Sequence, residues 1–135
     1  MAESRSRKLG RLVRVQRQLE RMAENELAHT LRERMIAESS QEALIGALGS
    51  LDTVHRAMAG SYAVRFSPLE GRIRQLSGVQ VMQERRVLTE KTKADRLAET
   101  AARAVESEER EAADESLLDL LDSTMAGPDP STSPA

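Results

Sequence analysis

The chain has 135 residues, of which 39% are hydrophobic and 1% aromatic, so it offers little large apolar volume for a thick globular core. It has no cysteine, which excludes disulfides, thiolate catalysis and cysteine-based zinc sites. Charged residues make up 31% of the chain with a net charge of only −2, a balance that favours long solvated helices and predicts neither nucleic acid nor membrane insertion. No apolar run approaches the roughly 20 residues of a membrane span, and the basic N-terminus lacks the apolar stretch of a secretory signal. A cytoplasmic protein is expected.

The first predicted element is one long helix over about residues 7–63. Most of its apolar residues recur in steps of three and four, and a stripe of this length is typical of a coiled coil. Gly46 and Gly49 each lower helix stability by about 1 kcal/mol relative to alanine, so the middle of this helix is expected to be soft. The predicted stripe consists of Leu12, Val15, Leu19, Met22, Leu27, Leu31, Met35, Leu44, Leu48, Leu51, Val54, Met58 and Tyr62.

A turn is predicted at about residues 64–67, and a second helix at about 68–122. Ser67 and Glu70 match a capping box, with Pro68 at the first helical position, where its missing N–H has no cost. The second stripe is weaker between residues 89 and 116. Residues 123–135 are rich in proline, serine and glycine and are predicted to form a disordered tail.

Folding back at this turn would bring together residues whose numbers add up to about 132. Apolar residues would then face apolar ones, as in Leu27 with Val105, and opposite charges would flank the seam, as in Arg11 with Asp122. Residues 3–21 carry seven Arg or Lys against two Glu, while residues 106–122 carry eight acidic residues against one Arg. One pairing, Glu26 with Glu106, opposes this register. The sequence predicts an all-α fold, a long antiparallel two-helix coiled-coil hairpin over residues 1–122.

The residues needed for catalysis are sparse. His29 and His55 lie far apart on the first predicted helix without a second histidine one turn away, which argues against a metal site. No phosphate loop or dinucleotide turn is present. Carboxylates are abundant, but open helices provide no cleft that would shift their pKa values. We therefore predict that the chain is not an enzyme and has no catalytic residue, metal site or cofactor.

Three groups of residues are candidates for binding other proteins. The first is basic and lies near the N-terminus; solvated surface charge is the alternative. The second is the aromatic pair at the predicted tip, which would otherwise only close the hairpin core. The third is a leucine-rich segment near the C-terminus, which could dock in a groove or pack within the helix core. The three groups are Arg5, Arg7, Lys8 and Arg11; Tyr62 and Phe66; and Leu117, Leu120 and Leu121.

The first helix, KLGRLVRVQRQLERMAENELA, together with a turn near mid-chain and a second helix, resembles the FliJ family of flagellar export proteins and its YscO-type injectisome relatives. The resemblance covers roughly residues 5–122 and is one of pattern. It implies a non-enzymatic stalk that binds the export ATPase by the end bearing both termini and contacts the export gate and substrate chaperones elsewhere. Arg5, Arg7, Lys8, Arg11 and the segment 117–121 would lie at the ATPase end. Gly46, Gly49 and the scarcity of aromatic residues depart from the family pattern and leave gate binding in doubt.

Two other functions stay open at this stage. The chain could be a self-associating structural coiled-coil scaffold, or an export chaperone that captures a secreted subunit. A monomer favours the stalk and is expected over a homo-oligomer, whereas an obligate dimer would favour the scaffold. The resemblance implies a cytoplasmic protein and leaves open a peripheral location at the inner membrane through its partners.

Overall fold

The structure, a computed structural model, describes residues 2–50 and 52–127, and all the regular elements in that part of the chain are helices. They are α1 (Arg5–Leu48), α2 (Thr53–Ala57) and α3 (Ala59–Met125). The all-α prediction is confirmed, and two of the helices are long and lie side by side. Residues 123–125, predicted to belong to the disordered tail, are helical, whereas residues 128–135 lie outside the described residues.

The chain divides into two compact units. The terminal unit contains the residues up to Val15 and those from Asp95 onward, and the central unit is Gln16–Ala94. Within the central unit α1 and α3 run antiparallel, because an ion pair of 2.9 Å joins Glu26 to Arg86 and one of 3.3 Å joins Glu33 to Arg72. Each step forward along α1 thus meets an earlier residue of α3.

The chain reverses direction earlier than predicted. After Leu48 the helix gives way to Gly49 and Ser50, whose N–H groups donate to carbonyls of the last turn at 3.1 and 3.2 Å. Asp52 then caps α2, since its Oδ1 accepts from the N–H of Val54 at 2.8 Å. A glycine just past a helix end, followed by an aspartate N-cap, is a stop and start signal. The sequence predicts a continuous helix that is softened at Gly49, whereas in the structure Gly49 directly follows the end of α1.

Residues 64–67, predicted as the turn, are helical, and Pro68 lies inside α3. An interior proline removes a backbone hydrogen bond and costs about 3 kcal/mol. On either side of it, Phe66 and Leu69 are half-buried. Burial of these two side chains offsets the cost of the proline, so packing overrides the local start signal at Ser67.

Three small residues and one leucine form the buried side of α1 in the central unit. Ala23, Thr30, Ala37 and Leu44 recur at seven-residue intervals and are at most 9% exposed. The opposing side of α3 carries larger side chains whose positions alternate in steps of four and three. We call these two rows the seam. The half-buried or buried positions of α3 in the seam are Tyr62, Phe66, Leu69, Ile73, Leu76, Gln80, Gln83, Val87, Glu90 and Ala94.

Much of the apolar stripe predicted for α1 points away from the seam. The side chains of Leu12, Val15, Leu19, Met22, Leu31 and Met35 are between 37% and 66% exposed. The reason is helical phase: the step from Met22 to Leu27 is five residues, which at roughly 100° per residue turns the stripe around the helix. The row that contains Ala23, Thr30 and Ala37 stays on one face of the helix, because seven residues are close to two full helical turns.

The predicted register is wrong as a result. Glu26 pairs with Arg86 rather than facing Glu106, and Arg11 forms an ion pair of 2.7 Å with Glu3 rather than with Asp122. The residue numbers of the paired groups add up to about 110 instead of 132, because the reversal is centred near α2. The like-charge contact that opposed the predicted register is therefore absent from the described structure.

Candidate protein-binding surfaces

The first candidate surface is the basic segment, which we define as residues 5–14 of α1. Arg5, Arg7, Lys8 and Arg11 are exposed, and of these Arg11 pairs with Glu3. The helix is capped by Ser4, whose Oγ accepts from the N–H of Arg7 at 3.3 Å. The first turn has no acidic residue of its own, so the cations at the positive end of the helix macrodipole are compensated from outside that turn, as by Glu3.

A second contact fixes α3 beside the start of α1 in the terminal unit. The backbone N–H of Ser6 donates to Glu108 Oε1 at 3.1 Å, and the Ser6 hydroxyl donates to Oε2 at 2.5 Å. These hydrogen bonds, and after them the positive charge of Arg7, lower the pKa of the Glu108 carboxyl below its ordinary value. Glu108 is also the last described residue of α3 whose side chain is not exposed.

The third surface is the acidic extension, which we define as residues 109–125 of α3. Every residue in it is exposed. Leu117, Leu120 and Leu121 are 59%, 67% and 48% exposed, so the structure places them on an open helix and not in a core. The extension belongs to the same unit as the basic segment, but the described contact between the two helices is made at Glu108, before the extension begins.

The aromatic pair lies near the chain reversal in the central unit. Tyr62 and Phe66 are both half-buried, and the ring of Tyr62 meets the ring of His55 edge-on at a centroid distance of 6.1 Å. The His55 Nδ1 atom is buried without a hydrogen-bond partner. Both aromatics thus help to close the helix pair, and Tyr62 also borders an open groove of about 760 Å³. The groove is lined by residues that include Ala43, Leu44, Ala47, Arg65 and Leu69.

The described residues contain no group of three His, Cys, Asp or Glu side chains that could hold a metal ion. His29 instead lies 3.1 Å from Glu33, one turn along α1. None of the described helices combines the length and the apolar character that a membrane crossing requires.

The outward face of α1 is a further candidate surface, and it was not predicted from the sequence. Leu12 and Val15 were assigned to the hairpin core, yet they are 52% and 59% exposed between cationic side chains. The seven-residue spacing of Ala23, Thr30 and Ala37 was the available signal, because it identifies the buried face and leaves the leucines outside. Alanine and threonine are much less hydrophobic than leucine, so a hydrophobic pattern follows the leucines and does not reveal the row of small residues.

Comparison with known protein families, with curated proteins and with solved structures found no match to this chain. Its function is therefore inferred from its own surfaces. These are a basic helix start, an acidic leucine-bearing helix end and a half-buried aromatic pair beside a groove.

Proposed function

We propose that this chain is a non-enzymatic, protein-binding adaptor, and that it acts as the stalk of a flagellar type III export apparatus between the export ATPase and the export gate. The observation that carries the proposal is the acidic extension. Among residues 2–50 and 52–127 no element covers Leu117, Leu120 and Leu121. Such a helix has the character of a binding surface, because burying exposed leucines against a partner is favourable.

In this proposal the helix pair is an antiparallel coiled-coil hairpin with a C-terminal tail that does not fold on its own. Support comes from the seam, where buried positions on α3 alternate in steps of four and three from Tyr62 to Ala94. Buried positions on α1 repeat every seven residues over the same unit. Both spacings are those of heptad packing.

The ATPase would be bound at the terminal unit. The resemblance to the FliJ family assigns this contact to the end that bears both termini, and the terminal unit holds Arg5, Arg7, Lys8 and Arg11 together with the leucines of the acidic extension. Exposed cations and exposed leucines are the two kinds of group that would meet an acidic and partly apolar surface. The proposal leaves the gate contact unassigned, because the aromatic residues Tyr62 and Phe66 are half-buried.

A non-enzymatic role is supported by the arrangement of the ionisable groups. Those in the described residues lie along exposed or half-exposed helix faces. Substrate chaperones of the export system are further partners under this proposal, and the protein would work in the cytoplasm or at the inner membrane through its partners.

The experiment is co-purification of the chain with a P-loop export ATPase, followed by a binding titration. Arg7→Glu combined with Arg11→Glu should abolish binding, because it reverses the charge of the proposed contact. Arg74→Glu with Arg85→Glu is the matched control, since both arginines are exposed in the central unit and lie outside the proposed contact. The ATPase assignment fails if the wild-type chain does not bind, or if both double variants bind equally well.

One observation favours the second candidate, a self-associating scaffold. Leu12, Val15, Leu19 and Met22 recur on the outward face of α1 and are all exposed. A stripe with this spacing is suited to a further helix. Sedimentation analysis separates the two functions, because an obligate oligomer at every concentration favours the scaffold.

A further inference from the structure

Within the part of the chain that the structure describes, no element covers the acidic extension, since each of its residues is exposed. α3 continues unbroken to Met125, and residues 109–125 add about 25 Å of helix past Glu108 at roughly 1.5 Å per residue. Because Glu108 lies beside Ser6 at the start of α1, the extension continues past the beginning of the helix that could have covered it. Most helical stability in proteins comes from packing of an apolar face, which the described residues do not provide for the extension.

Two helix ends in the terminal unit carry charge of the unfavourable sign. The acidic extension has six carboxylates and one arginine, and the last turn of α3 contains no basic residue. The first turn of α1 holds Arg5, Arg7 and Lys8 at the positive helix end, where Glu3 and Glu108 compensate them in part. Asp122 in the last turn of α3 and these cations are each opposed by their own macrodipole and would be relieved by the charges of the other segment.

The two segments also match in their apolar groups. Leu12 and Val15 are exposed at the end of the basic segment and just beyond it. Leu117, Leu118 and Leu121 are exposed within the acidic extension. Each surface is therefore a short apolar strip flanked by charge, and the two have opposite sign.

We propose that the acidic extension of one copy of this chain docks on the basic segment of a second copy, forming a homodimer through charge pairing and leucine burial. The occupant is a second copy because the complementary surface is present in the same chain but cannot be reached by the extension while α3 stays helical. This inference goes beyond the export role and does not depend on it.

The first test is sedimentation velocity on the purified chain alone, over a wide range of concentrations. A dimer that forms with increasing concentration and dissociates with increasing salt is expected, because exposed charge pairs are screened by ions. A chain that remains monomeric at all concentrations overturns the proposal.

The second test exchanges the charges. Glu111→Lys with Glu115→Lys, and separately Arg7→Glu with Arg11→Glu, should each weaken the dimer roughly tenfold or more, because like charges then face each other. An equimolar mixture of the two variants should restore dimerisation, since the lysines of one copy now meet the glutamates of the other. The lysine variant keeps its helix, because lysine and glutamate have similar helix propensities.

Glu24→Lys with Glu42→Lys is the control, as both residues are exposed in the central unit and outside the proposed interface. It should dimerise like the wild type. A dimer that resists both charge reversals, or a mixture of the two variants that stays monomeric, overturns the assignment of the interface. These experiments contain no ATPase. If the dimer is not found, the proposed export function is therefore unaffected and is tested separately by ATPase binding.

Discussion

Two stretches of the same helix behave differently in this protein. Between Tyr62 and Ala94, α3 lies against α1 and has a buried or half-buried seam side chain every three or four residues. Between residues 109 and 125 it carries a comparable number of leucines and buries none. Leu76 is 4% exposed and Leu120 is 67% exposed, so the difference lies in the neighbouring helix and not in the residue type. A periodic row of leucines shows that a helix is able to pack against another helix. The leucines become buried only where a neighbouring helix faces that row.

The largest contrast is expected from removing a leucine in each stretch. Leu76→Ala should lower the free energy of unfolding by about 3 kcal/mol, because it removes a buried side chain and leaves a cavity. Leu120→Ala should change it by less than about 0.5 kcal/mol in the monomer. Urea unfolding followed by circular dichroism, at a concentration where the chain is monomeric, measures both. Equal effects would contradict the assignment of the buried seam.

Pro68 sharpens the comparison, because it interrupts the part of α3 that has a partner. Pro68→Ala should raise the free energy of unfolding by about 2 kcal/mol, since the proline is inside the helix and removes a backbone hydrogen bond. Ala113→Pro, in the acidic extension, should reduce the helix content with little loss of global stability. If Pro68→Ala instead lowers the free energy of unfolding, the result would favour the helix start that the sequence predicts at this proline.

The connection between the helices offers a smaller effect. Asp52→Ala should cost about 1 kcal/mol, because the Oδ1 atom no longer accepts from the N–H of Val54. Asp52→Asn keeps an acceptor and should cost much less. Thermal unfolding of both variants checks this, and identical values would mean that the cap does not stabilise the chain reversal.

The smallest effect concerns pH. The pKa of Glu108 is lowered in the folded chain, so its hydrogen bonds with Ser6 stabilise the fold above the ordinary carboxyl range, and this contribution disappears as the pH falls through the lowered pKa. Ser6→Ala should move the pKa of Glu108 upward, as measured by NMR titration of the side-chain carboxyl. Ser107→Ala, the neighbouring serine without a described bond to that carboxyl, should leave it in place; the same upward shift in both variants would remove Ser6 as the cause.

Most of the fold was predictable from composition and periodicity. The shortage of aromatic residues, the abundance of charge and the long periodic segments correctly predicted an all-α chain with two long helices. The position of the reversal was not predicted, because two signals competed. Ser67 and Pro68 resemble a helix start, while Gly49 and Asp52 mark the actual end of α1 and the cap of α2. Local propensity could not decide between them, since the outcome depends on packing around Phe66 and Leu69.

The candidate surfaces were predicted in part. Leu117, Leu120 and Leu121 were singled out from the sequence, but whether they would lie in a core depended on the register, which shifted with the position of the reversal. Leu12 and Val15 were missed because large apolar side chains were assumed to face the partner helix. The face of α1 that packs against α3 instead carries alanine and threonine at seven-residue spacing, because small side chains of α1 fit against the larger ones of α3.

The small buried side chains of α1 also affect how the protein responds to temperature. Ala23, Thr30 and Ala37 expose little new hydrocarbon when the helices separate, and the heat capacity of unfolding grows by about 0.45 cal/K/mol for each Å² of apolar surface exposed. Unfolding should therefore have a low heat-capacity increment, a shallow stability curve and a small dependence on urea concentration for a chain of this length. Cooling or warming by a few degrees would change the balance between the folded and unfolded forms only slightly.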